Sequence, residues 1–289
     1  DNGGGLYLYY SDPLLTNMYI NGNRAEGEPY GSGGGLLLEY SNPTLSNVVI
    51  SENYAAHGSG GLSLNRSNPI LTNVTIHGNT SSSWGAMFVN RSDPTLTNVT
   101  ISENTSGYYG ASVSLYLSEA IIKNTIIWNN MAESPWNVPL ESLEIFYYPS
   151  EADPPSISYS DIQINDMEGV AYEIIQQGVG NKNDNPLFNE PEIGDFTLQN
   201  GSPCINTGDP NPWYSDMDGS TSDMGVTGGL FITPNFISYD FGEIGDIEST
   251  ADFTLSNSRL TPITIESVSF SGNTFSTATS FPIVINPFQ

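Results

Sequence analysis

Four aspartates close together in sequence form the densest group of candidate metal ligands in the chain: Asp209, Asp216, Asp218 and Asp223. Alternating oxygen side chains around a glycine turn are typical of Ca²⁺ loops. The glutamate that closes an EF-hand loop is missing, so the segment is not an EF-hand, although Asp223 could take that place. The same residues could instead order a turn through side-chain to backbone bonds. The sequence leaves both interpretations open, a Ca²⁺ site and an Asp-rich turn.

A second set of candidates consists of aromatic residues and one histidine in variable polar segments: Tyr54, His57, Trp84, Tyr108 and Tyr109. Repeat proteins usually bind their ligands through loops on one face. Aromatic rings there could stack on sugar rings, and rings that only pack a turn would give the same pattern. We therefore expect a ligand-binding role, with carbohydrate as the ligand class, or turn packing.

Groups that could carry catalysis are sparse. A polysaccharide lyase needs a basic residue and usually Ca²⁺, and a glycoside hydrolase needs paired carboxylates. Arg66 and Arg91 occupy one position of the repeat described below, which favours a structural role. His57 and His77 have no acidic or nucleophilic partner in the repeat, so no triad is predicted, and His77 is expected to be solvated. Cys204 is expected to be a small buried residue.

A repeat of about 25 residues must position these candidates. The stretch SNPTLSNVVISEN at residues 41–53 returns as SNPILTNVTIHGN at 67–79 and SDPTLTNVTISEN at 92–104. The first asparagine of the motif lies 30, 26, 25 and 26 residues from its next copy: Asn17, Asn47, Asn73, Asn98 and Asn124. A second asparagine follows six residues later in every copy: Asn23, Asn53, Asn79, Asn104 and Asn130. An isoleucine follows the first asparagine by three residues: Ile20, Ile50, Ile76, Ile101 and Ile127.

The apolar residues of each unit lie two positions apart, which is the period of a β-strand. A proline follows the first strand, where a strand cannot continue. Units of 25–30 residues with two or three short strands predict an all-β fold, a right-handed parallel β-helix. Leucine-rich repeats would need a helix or a longer leucine pattern, and a propeller blade would need about 40 residues.

Stacked coils place equivalent residues about 4.8 Å apart. Leucine then lies on leucine and isoleucine on isoleucine, and corner asparagines can bond to their counterparts and adopt left-handed backbone conformations. The variable segments should project from one side. After Asn130 the repeat degrades, with a further strand near Leu143–Tyr147. Residues 155–163 and 195–208 are expected to form final irregular coils that cover the edge of the stack.

The composition excludes several classes of partner. The chain has 32 acidic and 6 basic residues, for a net charge of −26. No basic surface is available for nucleic acid or anionic lipid, whereas binding of cations is plausible. A single cysteine excludes an internal disulfide, and no apolar run of 18 residues predicts membrane insertion. The chain begins in the middle of the pattern without an initiator Met, so we expect a mature or truncated piece.

The motifs resemble a known group of bacterial proteins. GGGL with asparagine-spaced repeats is similar to the parallel β-helix repeats of bacterial secreted and surface proteins. ISYSDIQ, GNKNDNPLF and DFTLQNGSPCINTGDPNPWYSDMDGSTSDMG, within residues 157–225, resemble their closing segment, a choice-of-anchor type region before a surface-attachment module. The usual ending after DMGA is replaced here by residues 224–229, MGVTGG. The resemblance implies a location outside the cell or on the bacterial surface.

From Leu230 the sequence changes to short alternating strands with turns every 8–12 residues, which is sandwich spacing. Phe241-Gly242 followed by DFTLSNSRLTPITIESV resembles Ig-like domains of the ASPM-SPD-2-Hydin group. About 60 residues are present where such domains have about 100, so either the chain is cut or another molecule completes the sheet.

Together these patterns predict two domains, a β-helix with an irregular cap at 1–229 and a partial Ig-like β-sandwich at 230–289. We expect a structural, adhesive or filament-forming surface protein without catalytic activity, stiffened by Ca²⁺. Self-assembly would use the first coil or the open sandwich edge. The alternative is a carbohydrate-binding or carbohydrate-cleaving β-helix, and a third is a receptor for a partner protein through the loop face.

Overall fold

The computed structural model describes residues 3–27, 32–108, 110, 112–132, 145–148, 154–164, 170–229, 232–234, 252–257, 260, 262–269 and 276–287. The repeat region winds into coils that contribute strands to three parallel sheets. The first sheet contains β1 (Leu6–Tyr9), β4 (Leu36–Glu39), β7 (Leu62–Asn65), β10 (Met87–Asn90), β14 (Val113–Tyr116) and β18 (Ile145–Tyr148). The last of these confirms the further strand expected after the regular repeats.

The second sheet follows the Ser-x-Pro corner. It begins with three long strands: β2 (Leu14–Asn21), β5 (Thr44–Ser51) and β8 (Ile70–His77). Later coils contribute pairs of short strands: β11 (Thr95–Thr97) and β12 (Thr100–Ser102), β15 (Ile121–Lys123) and β16 (Ile126–Trp128), β19 (Ser156–Ser158) and β20 (Asp161–Ile162). The third sheet has two-residue strands: β3 (Arg24–Ala25), β6 (Tyr54–Ala55), β9 (Thr80–Ser81), β13 (Thr105–Ser106) and β17 (Met131–Ala132).

The register of the second sheet confirms the predicted stacking. Ile50 pairs with Ile20 on one side and with Ile76 on the other, and Ile101 follows in the same column. A leucine column runs beside it through Leu45. These side chains are buried, and each fully buried aliphatic chain contributes about 1.5–3 kcal/mol to stability. The narrow interior therefore consists of like residues piled on like.

The second asparagine of each repeat forms a buried ladder, as predicted. Asn79 donates from Nδ2 to Asn104 Oδ1 and to the Ile50 carbonyl oxygen, both at 2.9 Å. Its Oδ1 accepts the backbone N–H and the side-chain Nδ2 of Asn53, at 3.0 and 2.9 Å. The ladder thus bonds backbone groups that leave the sheets at this corner.

The first asparagine of each repeat does not form a ladder with its counterparts in the neighbouring coils, so a ladder prediction is wrong for these residues. Asn17, Asn47, Asn73, Asn98 and Asn124 adopt φ of 50–54°. The left-handed residue bends the second-sheet strand at its middle and directs the asparagine away from the core, because its neighbours fill the inward positions. Asparagine suits this place because it tolerates φ above zero better than most residues. We refer to these five residues as the outer asparagine row.

The Ser-x-Pro corner has two further ladders that run in opposite directions. The backbone N–H of Ser41 donates to Ser67 Oγ in the following coil at 3.0 Å. The backbone N–H of Asn68 instead donates to Asn42 Oδ1 in the preceding coil at 2.8 Å. The same bonds recur at the neighbouring corners. The repeated serine and Asn or Asp positions therefore replace sheet bonds lost where the chain turns.

Glycines before the first sheet allow the chain to pass closely over the third sheet. A Cβ atom at Gly60 would lie 2.5 Å from the carbonyl oxygen of Thr80. That is closer than real Cβ contacts come, so the position requires glycine.

The segment after the repeats covers the coils in a way the sequence did not predict. Helix α1 (Val170–Gln177) packs against β18 and β19. Strands β21 (Phe188–Glu190) and β22 (Asp195–Leu198) form an antiparallel hairpin instead of a further coil. The expectation of a coil at 195–208 is therefore wrong, because Phe188 and Phe196 pack with Ile126 on the outer side of the second sheet.

Small antiparallel sheets occur in the described part of the C-terminal region. β23 (Ile232–Pro234) pairs with β24 (Leu255–Asn257), and β25 (Ile263–Ile265) pairs with β26 (Ile283–Ile285). Within the described residues, no helix has the length and apolar character needed to cross a membrane.

Candidate functional site

The outward side of the first sheet carries a row of aromatic and polar residues that begins and ends in tyrosine. Strand pairing aligns six residues along it, one per coil: Tyr9, Glu39, Asn65, Asn90, Tyr116 and Tyr148. Neighbours are about 4.8 Å apart, so the row extends about 24 Å along the stack. We refer to it as the tyrosine-ended row.

One end of the row is an exposed group of tyrosines. Tyr9 is 54% exposed and contacts Tyr10 and Tyr40 edge to face, with ring centres 4.6 and 6.3 Å apart. Tyr10 and Tyr40 stack in parallel at 4.9 Å. Arg66 bonds to the Tyr40 hydroxyl and lies over its ring, so this arginine supports the group. The rings therefore hold one another in place at the surface.

The centre of the row is polar and connected by hydrogen bonds. Asn90 Nδ2 donates to Asn65 Oδ1, and Asn65 Nδ2 donates to Glu39 Oε1, both at 3.3 Å. Glu39 Oε2 accepts the hydroxyl of Tyr7. This bond to the carboxylate, with burial and the charge of Glu39, raises the pKa of Tyr7 to about 12. The carboxylate is thereby held in a fixed orientation.

The other end repeats the aromatic character. Tyr116 and Tyr148 are 38% and 51% exposed, with ring centres 5.4 Å apart. This row was not predicted from the sequence, because its members are not alike. A signal was present: the residue two positions before the corner serine is Tyr, Glu, Asn, Asn and Tyr in five successive coils, each directly after an aliphatic residue.

The predicted ligand-binding residues lie in different elements of the structure. Tyr54 lies on β6 of the third sheet, beneath the Arg24 guanidinium at 4.4 Å, rather than in a loop. Trp84 stacks on Phe88 with ring centres 4.8 Å apart, so it packs on the first sheet. His57 is half-buried and Tyr108 is exposed, and Tyr109 lies outside the described residues. Two-residue strands carry no visible period, which is why the sequence did not separate Tyr54 from the loops.

His77 is also placed differently from the prediction. It is half-buried, and its ring meets Phe196 edge to face at 5.1 Å. Burial lowers the pKa of His77, against the opposing charges of Glu52 and Glu103. The expected solvated histidine is therefore wrong, because the β21–β22 hairpin covers it.

The structure separates the four aspartates by role. Asp209 Oδ2 forms an ion pair with Lys123 Nζ at 2.7 Å, and its Oδ1 accepts the Asn211 N–H. Asp218 is exposed, and its Oδ1 accepts the backbone N–H of Ser220 at 2.9 Å and the hydroxyl at 2.6 Å. These bonds lower the pKa of Asp218 and belong to a local turn.

Asp216 and Asp223 face each other. Asp216 Oδ2 accepts the backbone N–H of Asp223 at 2.9 Å, and Asp223 Oδ1 accepts that of Asn206 at 2.8 Å. Burial, followed by the charge of Asp223, raises the pKa of Asp216 to about 7, and burial also raises the pKa of Asp223. A cation would relieve the repulsion between these two carboxylates. Within the described residues, no group of three or more His, Cys, Asp or Glu side chains has metal-site geometry.

A buried acid that the sequence analysis missed lies beneath the cap. Asp161 is fully buried, and its carboxylate accepts the Cys204 thiol at 2.9 Å and the Asp184 backbone N–H at 3.0 Å. Burial raises the pKa of Asp161 to about 6 and raises that of Cys204 well above its usual range. Cys204 is fully buried as predicted, so this pair joins the cap to the last coil.

Comparisons with known proteins agree with this architecture. Residues 1–142 match a protein family described as "Right handed beta helix region". No curated protein and no solved structure matches the chain. The matched residues contain the regular coils, in which like residues pair strand by strand. The match covers 142 of the 289 residues, just under half of the chain, and with the stacked parallel strands it supports a right-handed β-helix repeat fold.

Proposed function

We propose that the protein is a non-catalytic structural or adhesive component of a bacterial cell surface that binds neutral polysaccharide through the tyrosine-ended row. The observation that carries this proposal is the row itself, with exposed aromatic rings at both ends and amides between them. A tyrosine ring offers an apolar face and a hydroxyl, which match the apolar faces and hydroxyl groups of sugars.

The length and charge of this surface support the polymer as ligand. A row of about 24 Å is longer than one sugar ring, and parallel strands keep its members in a straight line. The chain carries a net charge of −26, so an acidic polysaccharide would be repelled. A neutral polymer lying along the stack avoids that cost.

The arrangement of acids supports a role without catalysis. Glycoside hydrolysis needs two carboxyl groups about 5–9.5 Å apart. Among the six residues of the row, Glu39 alone has a carboxylate, and that carboxylate is bonded to Tyr7 and Asn65. The alternative function, carbohydrate cleavage, predicts new reducing ends or unsaturated products when the protein is incubated with polysaccharides. Their formation, with loss in Glu39→Gln, would favour the alternative.

The proposal extends to the organisation of the chain. Residues 1–229 would form the β-helix with a choice-of-anchor type closing segment, and residues 230–289 part of an Ig-like sandwich. The antiparallel pairs β23–β24 and β25–β26 support the second assignment.

Self-assembly through the first coil or the sandwich edge would make filaments, which sedimentation velocity would detect. A single monomeric species at all concentrations would contradict assembly and leave polysaccharide binding untouched.

We also propose that Ca²⁺ stiffens the closing segment. The facing carboxylates of Asp216 and Asp223 support this, because a cation there would offset their repulsion, with Asp218 close in sequence. Asp209 does not contribute, since it is paired with Lys123. Thermal unfolding with and without added Ca²⁺ tests this proposal.

Affinity electrophoresis in gels containing neutral polysaccharides, such as a glucan or a mannan, tests the main proposal. Wild-type protein is expected to be retarded in at least one gel. The double variant Tyr116→Ala/Tyr148→Ala should migrate freely, because it loses one aromatic end of the row. Tyr172→Ala is the matched control, an exposed tyrosine on helix α1, and should be retarded like wild type. Equal retardation of the double variant and the control would refute the assignment of this surface.

A further inference from the structure

The outer asparagine row of the second sheet is covered at one end and open at the other. The closing segment crosses Asn98 and Asn124. In the three preceding coils, the same positions line a groove that ends at residues 226–228. The groove contains three asparagines of the row and the outward residue two positions after each: Asn17, Tyr19, Asn47, Val49, Asn73 and Thr75.

At the covered end, the row is bound to polypeptide main chain. Asn98 Nδ2 donates to the carbonyl oxygen of Asp223 at 3.1 Å and lies 3.4 Å from that of Gly225. Thr100, on the same coil, accepts the backbone N–H of Val226 at its Oγ1, at 3.0 Å.

Asn124 repeats this behaviour one coil later. Its Oδ1 accepts the backbone N–H of Asp209, and its carbonyl oxygen accepts that of Gly225, both at 2.7 Å. The side chains and backbone of the row therefore bind peptide groups of the crossing segment, and Asn98 Nδ2 also donates to the Ser222 hydroxyl at 3.1 Å.

Close approach to the row requires glycine in the crossing segment. A Cβ at Gly225 would lie 2.7 Å from Ile126 Cδ1, and one at Gly208 would lie 3.0 Å from Asn124 Oδ1. Gly228 likewise has no room for a Cβ beside Asn98 Nδ2. The segment that meets the row turns at residues 225–228, where the Gly228 N–H donates to the Gly225 carbonyl oxygen at 3.2 Å, and it has glycine where it approaches the asparagines.

The open part of the groove repeats the same recognition pair. Thr75 pairs in register with Thr100, so Asn73 and Thr75 reproduce Asn98 and Thr100 on the preceding coil. The Oδ1 atom of Asn73 is buried without a hydrogen-bond partner among the described residues, and so is that of Asn98 in the covered coil. Asn17 and Asn47 are exposed, and Tyr19, 81% exposed, stands beside them. Among the residues that the structure describes, none that lines the groove is charged.

We propose that this open groove binds an uncharged, glycine-rich peptide segment of a partner protein through its main chain. The same row already holds glycine-containing main chain at residues 222–228, and the open groove continues that contact. The proposed peptide binding is independent of polysaccharide binding, which involves the first sheet. A peptide bound here would extend the contact that the closing segment begins.

A synthetic capped peptide tests the proposal. It repeats the sequence of residues 225–229, GVTGG, twice, and its binding to the full chain is followed by titration in NMR with side-chain amide signals. Wild type is expected to bind it. Asn47→Gly should weaken binding by about fivefold, the usual effect of losing one hydrogen bond. Glycine is the replacement because it keeps the left-handed backbone conformation.

Two controls make the result specific. Asn206→Gly removes another exposed left-handed asparagine, which lies outside the groove, and should leave affinity within twofold of wild type. A peptide with alanine in place of glycine should bind more weakly than the glycine peptide. Absence of binding, equal binding by Asn47→Gly, or equal binding of the alanine peptide would overturn the proposal. Shifts of the same amides by a neutral oligosaccharide alone would also overturn it, in favour of a sugar site.

Discussion

Replacement of one interior rung of the asparagine ladder tests how the stack is held together. Asn79→Ala removes four hydrogen bonds: two that its Nδ2 donates and two that its Oδ1 accepts. At a net value of about 1 kcal/mol for each bond, the loss is about 4 kcal/mol, and unpaired buried groups add to it. Asn79 is fully buried, so water cannot replace the lost partners.

The end of the ladder supplies the comparison. Asn23 is half-buried, and its Nδ2 donates to Asn53 Oδ1 and to the carbonyl oxygen of Asn21. Water can replace much of what Asn23→Ala removes, and Asn53 Oδ1 keeps the bond from the Asn23 backbone N–H. We expect a loss of about 1 kcal/mol for this variant.

Thermal unfolding followed by circular dichroism measures the difference. With about 2–4 °C per kcal/mol for a chain of this size, Tm should fall by about 8–16 °C in Asn79→Ala and by about 2–4 °C in Asn23→Ala. Calorimetry of the same samples checks that the coils unfold together, because repeat arrays can lose cooperativity. Equal shifts for the two variants would refute the claim that interior rungs stabilise the stack.

Three further outcomes are expected. The free energy of unfolding should be greatest near pH 4 and fall as pH rises through 6 to 7. Burial raises the folded-state pKa of Asp161 to about 6 and that of Asp216 to about 7, so the folded state binds more protons than the unfolded state in this range. Urea unfolding at several pH values measures this, and a pH profile that Asp216→Asn leaves unchanged would contradict it. Ca²⁺ should raise Tm in wild type and in the control Glu26→Ala, and it should not do so in Asp218→Ala or Asp216→Asn; no shift in wild type means an ordinary turn. Gly60→Ala should lower stability by about 1–3 kcal/mol because its Cβ would meet third-sheet backbone at 2.5 Å, and unfolding at the wild-type midpoint would show that the backbone yields.

The periodic part of the fold could be predicted from sequence because each repeated residue occupies the same structural position in every coil. Ile50 and Ile76 repeat because they occupy the same inward place, so their spacing alone gives the register. The position of Asn53 at a corner likewise gives the ladder. The outer asparagine row was misjudged because Asn47 repeats as faithfully as Asn53, while its conformation turns it outward.

Parts of the candidate site could not be predicted, because the residues that meet there are distant in sequence and unlike one another. Tyr9 and Tyr148 belong to one row only because strands pair across six coils. Residues 186–229 fold back on the coils through contacts such as those of Phe196 with His77 and of Gly225 with Ile126. These contacts do not repeat along the sequence, so no periodic pattern indicates them.

The two corner ladders donate their hydrogen bonds in opposite directions along the stack, and this affects how such a chain can change length in evolution. At the corner, each interior coil offers the same kinds of hydrogen-bonding group to the coil before it and to the coil after it. A whole coil can therefore be duplicated or excised without leaving a corner N–H group without an acceptor. Excision of residues 67–91 would bring the Ser41 N–H to Ser92 Oγ, the same acceptor type that it has now at Ser67. Gain or loss of 25 or 26 codons therefore changes the length of the stack in steps of about 4.8 Å, while the corner hydrogen bonds between neighbouring coils keep the same chemistry.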